Sequence, residues 1–567
     1  MKINLKKRQF RFWLCFSAAW LGIIWIAVAK LIIRPLLQAA YSDKGLPIIS
    51  NIILGLNKPL DRLLWRLDSL TEAGLIFFIA FGLIALVTTS KTFFNKFVGQ
   101  ATPETLGSIR IITCGFLFTS ALWEELASSA LLPEQMRVFM GTMDIFYALP
   151  IGFDAFTKSY TALLVFKWIT VIVLLLATVG WQTKFVVPLG GILYCIYGGI
   201  IRQYEHFGHA GIVPLYLILV LAFTPCEDGL SIDRLGKIRQ GKVVPKADEY
   251  SPIYGWSRYA CWVVLAMVYL AAGLSKLTKG GFFWWNATNM KTIVFTDALN
   301  PARVDWGLGL NLISAPDLLF NLLGIVGLFG ELFYATVLFS KLARRIFPPL
   351  MAMMHAGIFL LQNVAFFDLI VLQLIYYDFT EIRQVISRRF NRNTPLVIRE
   401  SSSKKSLSRN FYYPILVTIL SVFLILTWVY RVEFYPITAW QMYSNSNTTG
   451  DIEYYKVFAH RQSGETTKAY LDQSIGAMKN GRYKRVTRKF CFDPNKVKVC
   501  QKYFDISANT YNQDVSSKNK IVAYEIQKWK WNFLKSPSGP DAGKLRERFF
   551  YQGVKSAYLT YLLKEQT

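Results

Sequence analysis

Stretches of about twenty apolar residues recur along this chain, and no other feature constrains its fold as tightly. A helix rises about 1.5 Å per residue, so some twenty residues cross the roughly 30 Å hydrocarbon core of a bilayer. Eleven such stretches are read from the sequence, at 12–33, 72–90, 105–126, 158–180, 185–201, 208–225, 255–275, 315–340, 346–362, 365–380 and 411–430; several are short, and the pair around 350–380 reads as two spans or as a re-entrant or broken hairpin. Charged residues make up 17% of the chain, against roughly 25% in soluble proteins, and mean hydropathy is +0.32. The expected fold is an all-α polytopic membrane protein with about 11 transmembrane helices and a small C-terminal extracytoplasmic α+β domain.

The formal net charge is +27. The positive-inside rule and anionic lipids account for this excess without a nucleic-acid partner. Four basic segments stand out: the N-terminus, 233–246, 340–347 and 381–410. With eleven spans all four fall on one side, which reads as cytoplasmic. The N-terminus is then cytoplasmic and uncleaved. The 201–208 turn, the 276–314 loop and the tail after 444 lie outside. Compact loops favour a bacterial inner membrane. No phosphate-cradling glycine loop or HExxH motif appears, so neither ATP-driven work nor that zinc chemistry is expected.

The tail is basic, with 22 Lys and Arg against 11 Asp and Glu. "EYYKVFAHR" and "YKRVTRKFCF" read as strands; "AYEIQKWKWNFL" and "SAYLTYLLKEQ" read as helices. Cys491 and Cys500 enclose a short loop, as a disulfide outside the cytoplasm or as two free thiols. The seven cysteines contain no CxxC pair, and no metal site is expected.

Ionisable residues inside membrane segments are costly unless paired or hydrated, so each is a functional candidate. Arg110 and Glu331 read as an interhelical ion pair or as two separately satisfied charges. Glu124 and Glu125 near a helix end read as solvated, Lys167 as snorkelling or facing a polar cavity, and Asp368 as a cap. His206 and His209, three apart, share a helix face beside Glu205. They read as boundary histidines or proton carriers rather than ligands. Lys276, in "LAAGLSKLTKGG", is either a lysine snorkelling to the headgroups or a buried base.

The order of features across 104–443 resembles the horizontally transferred transmembrane (HTTM) domain, the membrane domain of vitamin K-dependent γ-glutamyl carboxylase. The features are "LGSIRIITCGFLF", "GHAGIVPLYLILVLAFTPCEDGLSID", "YLAAGLSKL" followed by Trp, "GELFYATVLFSKLARR", "AMMHAGIFL" and "WQMYS". The resemblance implies that Lys276 is the base that deprotonates a hydroquinone, with His209 assisting and Arg110, Glu331 and His355 organising the polar interior. It implies reduced vitamin K or menaquinol as cofactor and a peptide substrate on the outer face. Gly208 and Ser275 stand where the carboxylase has Asn and Lys. Residues 1–100 would add two helices before the domain, and 444–567 would form the basic outer domain. A non-catalytic accessory role in peptide maturation or export is the alternative.

Overall fold

A computed structural model describes residues 2–42, 45–55, 58–138, 141–204, 209–301, 305–383, 409–469, 475–478, 486–513 and 515–552. The chain is mostly helical, at 69%. Eight helices among the described residues are long and apolar enough to cross a membrane. They are α1 (Phe12–Tyr41), α2 (Leu60–Thr88), α3 (Pro103–Trp123), α4 (Tyr160–Val179), α5 (Thr183–Arg202), α7 (Pro252–Gly280), α9 (Asp317–Leu338) and α12 (Tyr412–Val429). The chain is thus an integral multi-pass membrane protein.

The other three expected spans are not among these eight. Helix α6 (Ile212–Leu221) has 10 residues and rises only about 15 Å, half the hydrocarbon thickness. Helix α10 (Lys341–Gln362) begins Lys-Leu-Ala-Arg-Arg and carries Pro348 and Pro349 inside it. Helix α11 (Phe367–Tyr376) is also short. Between α7 and α9 lies a further helix, α8 (Ala287–Leu299).

Helix α7 forms the centre. Its run Tyr259–Val268 is buried on nearly every side, as expected of a helix surrounded by others. Small residues allow close approach where α7 meets α9. A Cβ on Gly273 would stand 2.8 Å from the Leu332 nitrogen and 3.2 Å from the Glu331 carbonyl carbon. Helices α1 and α2 pack on α12 through Ala18, Phe81 and Val422, and Thr88 bonds Thr418 at 2.7 Å.

The loops sort to two ends. At one end Ala101 pairs with Ser251, Thr102 Oγ1 lies 2.8 Å from Thr380 Oγ1, and Gly180 O accepts from Asp233 N at 3.0 Å. At the other, Val138 N donates to Gln203 O at 2.8 Å and Thr142 N to Tyr435 O at 3.0 Å. Strands β1 (Glu433–Phe434) and β2 (Ile437–Thr438) form a hairpin at this second end, and the C-terminal domain sits there too.

That domain is a four-stranded antiparallel sheet of order β4-β3-β5-β6. The strands are β3 (Asp451–Arg461), β4 (Thr466–Lys468), β5 (Ile521–Asn532) and β6 (Lys544–Gln552). Helix α13 (Val497–Asn512) covers one face, with Phe504 against Tyr524 and Tyr551. A disulfide joins Cys491 to Cys500. The other face docks Ile452, Tyr454 and Trp531 on Phe295 and Val294 of α8.

The reading of "EYYKVFAHR" as a strand agrees with β3. "AYEIQKWKWNFL", expected as a helix, is strand β5. Its residues pair with β3 from Asp451↔Asn532 to Arg461↔Ile521, and its alternating aromatics fit a pleated surface. The described part of "YKRVTRKFCF", expected as a strand, is helical over Thr487–Cys491. "SAYLTYLLKEQ" lies outside the described residues.

Candidate functional site: a buried lysine–glutamate pair

Lys276 stands on the last turns of α7, where the helix leaves the apolar core. It does not snorkel. The residue is 4% exposed, and its Nζ donates to Glu331 Oε2 on α9 at 2.6 Å. Both partners are buried. An amine placed there meets a carboxylate because Gly273, one turn earlier, lets the two helices approach. The Nζ also stands 5.3 Å from the centroid of the Trp284 ring. Trp428 Nε1 of α12 donates to Ser275 Oγ at 3.0 Å. One charged pair is therefore buried beside an indole, where electrostatic attraction is less screened than in water.

Glu331 is thus the partner of Lys276 and not of Arg110. Arg110 is fully buried on α3 and donates through Nη2 to the Leu230 carbonyl at 2.6 Å, at the opposite end of the bundle. The ion-pair reading of Arg110 with Glu331 is corrected accordingly. Two intramembrane charges in one sequence do not reveal which helix faces meet.

His355, buried on α10, joins a second polar group on α7. Its Nε2 lies 2.9 Å from the Tyr269 hydroxyl. Tyr269 also accepts from Gln373 Nε2 at 2.9 Å, and Tyr334 donates to Gln373 Oε1. Tyr269 lies seven residues before Lys276, two turns away on the same side of α7. Neither Tyr269 nor Gln373 was singled out from sequence, because tyrosine and glutamine in apolar helices carry no charge signal.

His209 is half-buried just before α6. Its Nε2 lies 3.1 Å from Thr438 Oγ1, and its ring centroid is 5.3 Å from that of Trp440. The exposed Glu433 carboxylate also bonds Thr438 and the Ala439 N–H. The chain from β2 onward carries this cluster toward Lys276. Lys279 donates to Gln441 Oε1, and Trp284 Nε1 donates to the Tyr443 carbonyl at 2.8 Å. Lys276 and His209 thus occupy the same end of the bundle, connected through residues 438–443. Asp368 is no simple cap: its Oδ2 accepts from Gly211 N at 2.9 Å, two residues after His209. Glu205 and His206 lie outside the described residues. Among the described residues no group of three His, Cys, Asp or Glu is arranged for a metal.

Beside this end, Asp154 takes Lys158 at 2.5 Å and Arg137 at 3.0 Å. The Lys158 hydrogen bond, followed by that from Arg137, holds the Asp154 carboxyl below its ordinary range.

No protein-family model, curated protein or solved structure matches this chain.

Proposed function

We propose that this chain is a membrane enzyme of the HTTM type in which Lys276, coupled to Glu331, removes a proton from the hydroxyl of an apolar aromatic substrate, in the first instance reduced vitamin K or menaquinol. The observation that carries this reading is the 2.6 Å pair between Lys276 Nζ and Glu331 Oε2, buried at the edge of the apolar core. A lysine there acts as a base only if its own proton has somewhere to go. Glu331 is that acceptor. The proton passes from Nζ to Oε2 within the existing hydrogen bond, and the freed lone pair takes the substrate proton. The pair ends with one proton more than it began with.

The side chains present suit such a substrate. Trp284 offers a flat apolar surface beside the amine, and an ammonium near an indole is itself favourable. A bound quinol supplies an acidic hydroxyl and reducing electrons. His209, held by Thr438, stands at the same end as the second titratable side chain. In this reading the N-terminus is cytoplasmic, the C-terminal domain lies outside a bacterial inner membrane, and a peptide on that side receives the chemistry.

The test is quinol oxidation in nanodiscs, with reduced vitamin K or menaquinol, oxygen, bicarbonate and a glutamate-rich peptide. Wild-type protein should consume quinol above protein-free discs. Lys276→Ala should lower the rate by roughly 10²–10⁴-fold, the usual contribution of a general base. Full turnover in a folded Lys276→Ala protein would falsify the assignment.

A further inference from the structure

At the opposite end of α7 stand two arginines that form no ion pair among the described residues. Arg258 precedes Lys276 by 18 residues, a rise of about 27 Å, close to the hydrocarbon thickness. Its guanidinium carbon stands 4.4 Å from the Trp262 ring centroid, and that of Arg344 on α10 stands 4.9 Å from the same centroid. Two cations therefore share one indole. Arg258 Nη2 donates to the Val98 carbonyl at 2.9 Å, and Arg344 Nη1 donates to the Val337 carbonyl at 2.6 Å. Carbonyls accept hydrogens but supply no counter-charge. Arg258 Nε is buried with no partner.

Among the described residues neither arginine forms an ion pair. Asp378 and Glu381 act on Arg258 from a distance, but Asp378 Oδ1 is engaged by Thr105 Oγ1 and Thr380 N at 3.1 and 3.0 Å. Glu104 at the same end pairs with Arg383 at 2.8 Å. Two cations at a membrane boundary are costly unless something anionic meets them.

We infer that Arg258 and Arg344 bind the phosphodiester headgroup of an anionic phospholipid. Each guanidinium spends one terminal nitrogen on a carbonyl, and the other terminal nitrogen suits a phosphate oxygen. The surroundings favour a lipid over a free ion. Phe339, Leu342 and Ile346, at the same end of the bundle as Arg344, are 53%, 65% and 49% exposed, presenting apolar surface to acyl chains at that level. Lys341 and Arg345 are exposed in the same turns of α10. Basic heads above an apolar belt are the composition of the headgroup level. The positive-inside rule reads this end as cytoplasmic, the leaflet that concentrates anionic lipid in many membranes.

Native mass spectrometry of the full chain, released from detergent with equal phosphatidylglycerol and phosphatidylcholine, tests this. The wild type should retain phosphatidylglycerol by roughly thirty-fold over phosphatidylcholine, the factor expected of two basic residues at an anionic surface. Arg258→Gln with Arg344→Gln should bring the two lipids near parity. The Arg258→Lys and Arg344→Lys pair should keep part of the preference, and Lys184→Gln should keep all of it. If the glutamine pair does not fold, the wild-type comparison and the lysine pair still decide. Equal retention by the wild type, or an unchanged preference in a folded glutamine pair, overturns the inference. Displacement of phosphatidylglycerol by inorganic phosphate overturns it as well, assigning the site to a free anion.

Discussion

Removing one member of the Lys276–Glu331 pair should cost far more than removing both. At 2.6 Å and an effective dielectric constant of 20, the direct attraction is about 6 kcal/mol. Desolvating two charges offsets most of it, so the net worth of the pair is small. A single deletion keeps the desolvation and loses the attraction. Lys276→Met strands Glu331, and Glu331→Gln strands the ammonium; each should destabilise by about 3–5 kcal/mol. The double variant Lys276→Met/Glu331→Leu fills the same space with apolar groups and should lie within about 1 kcal/mol of wild type. The assay is reversible unfolding in mixed micelles, followed by tryptophan fluorescence, because Trp284 lies 5.3 Å from the amine. The double-mutant cycle should return a coupling of several kcal/mol. If the double loses the sum of the singles, the pair is not a closed unit and the proton exchange proposed for it has no basis. A double variant that folds normally but consumes no quinol would separate chemistry from architecture.

Gly273→Ala should push α7 from α9, since its new methyl would stand 2.8 Å from the Leu332 nitrogen; a loss of about 1–3 kcal/mol is expected, with turnover falling more than in Gly236→Ala, where no atom lies within 4 Å. Reduction of the Cys491–Cys500 bridge, which closes a sequence separation of 9, should destabilise the C-terminal domain by about 2–3 kcal/mol. Limited proteolysis with and without reductant would show it, and identical patterns would count against it. Asp154, whose carboxyl is held low by Lys158 and Arg137, contributes stability above the ordinary carboxylate range and loses it as pH falls through the folded value. Asp154→Asn should therefore melt lower than wild type at pH 7 and converge with it in acid; parallel melting curves at every pH would show that this latch carries no linkage.

The long spans were legible because twenty apolar residues have few other fates. The shorter helices were legible as apolar stretches but not in their length, because hydropathy measures composition and not the path of the backbone. The 10 residues of Ile212–Leu221 are as apolar as any span but stop at Ala222, where α6 packs inside the bundle. In the tail, Tyr524, Ile526, Trp529 and Trp531 were read as a helix, though their strand character comes from pairing with Asp451–Arg461, which lies about seventy residues away in sequence. Lys276 and His209 could be picked as unusual residues. Glu331 could be picked too, but its partner could not: the contact spans a sequence separation of 55 and depends on which faces of two helices meet.

Lys276 stands at the edge of the apolar core, neither in its middle nor in the loop. For the proposed proton transfer, an amine in mid-membrane would be cut off from water, and one in the loop beyond Gly280 would be solvated and weakly coupled to an apolar substrate. Lys276 occupies the boundary, with a carboxylate behind it and Trp284 beside it. That tryptophan is itself tied to Tyr443 by a 2.8 Å hydrogen bond, and the chain leading to Tyr443 passes Thr438, the partner of His209. Movement of the C-terminal domain, which packs on α8 immediately after Trp284, can therefore reach the amine through a short run of direct contacts. In the proposed reaction, a peptide docked on that domain would act on the pair by the same route.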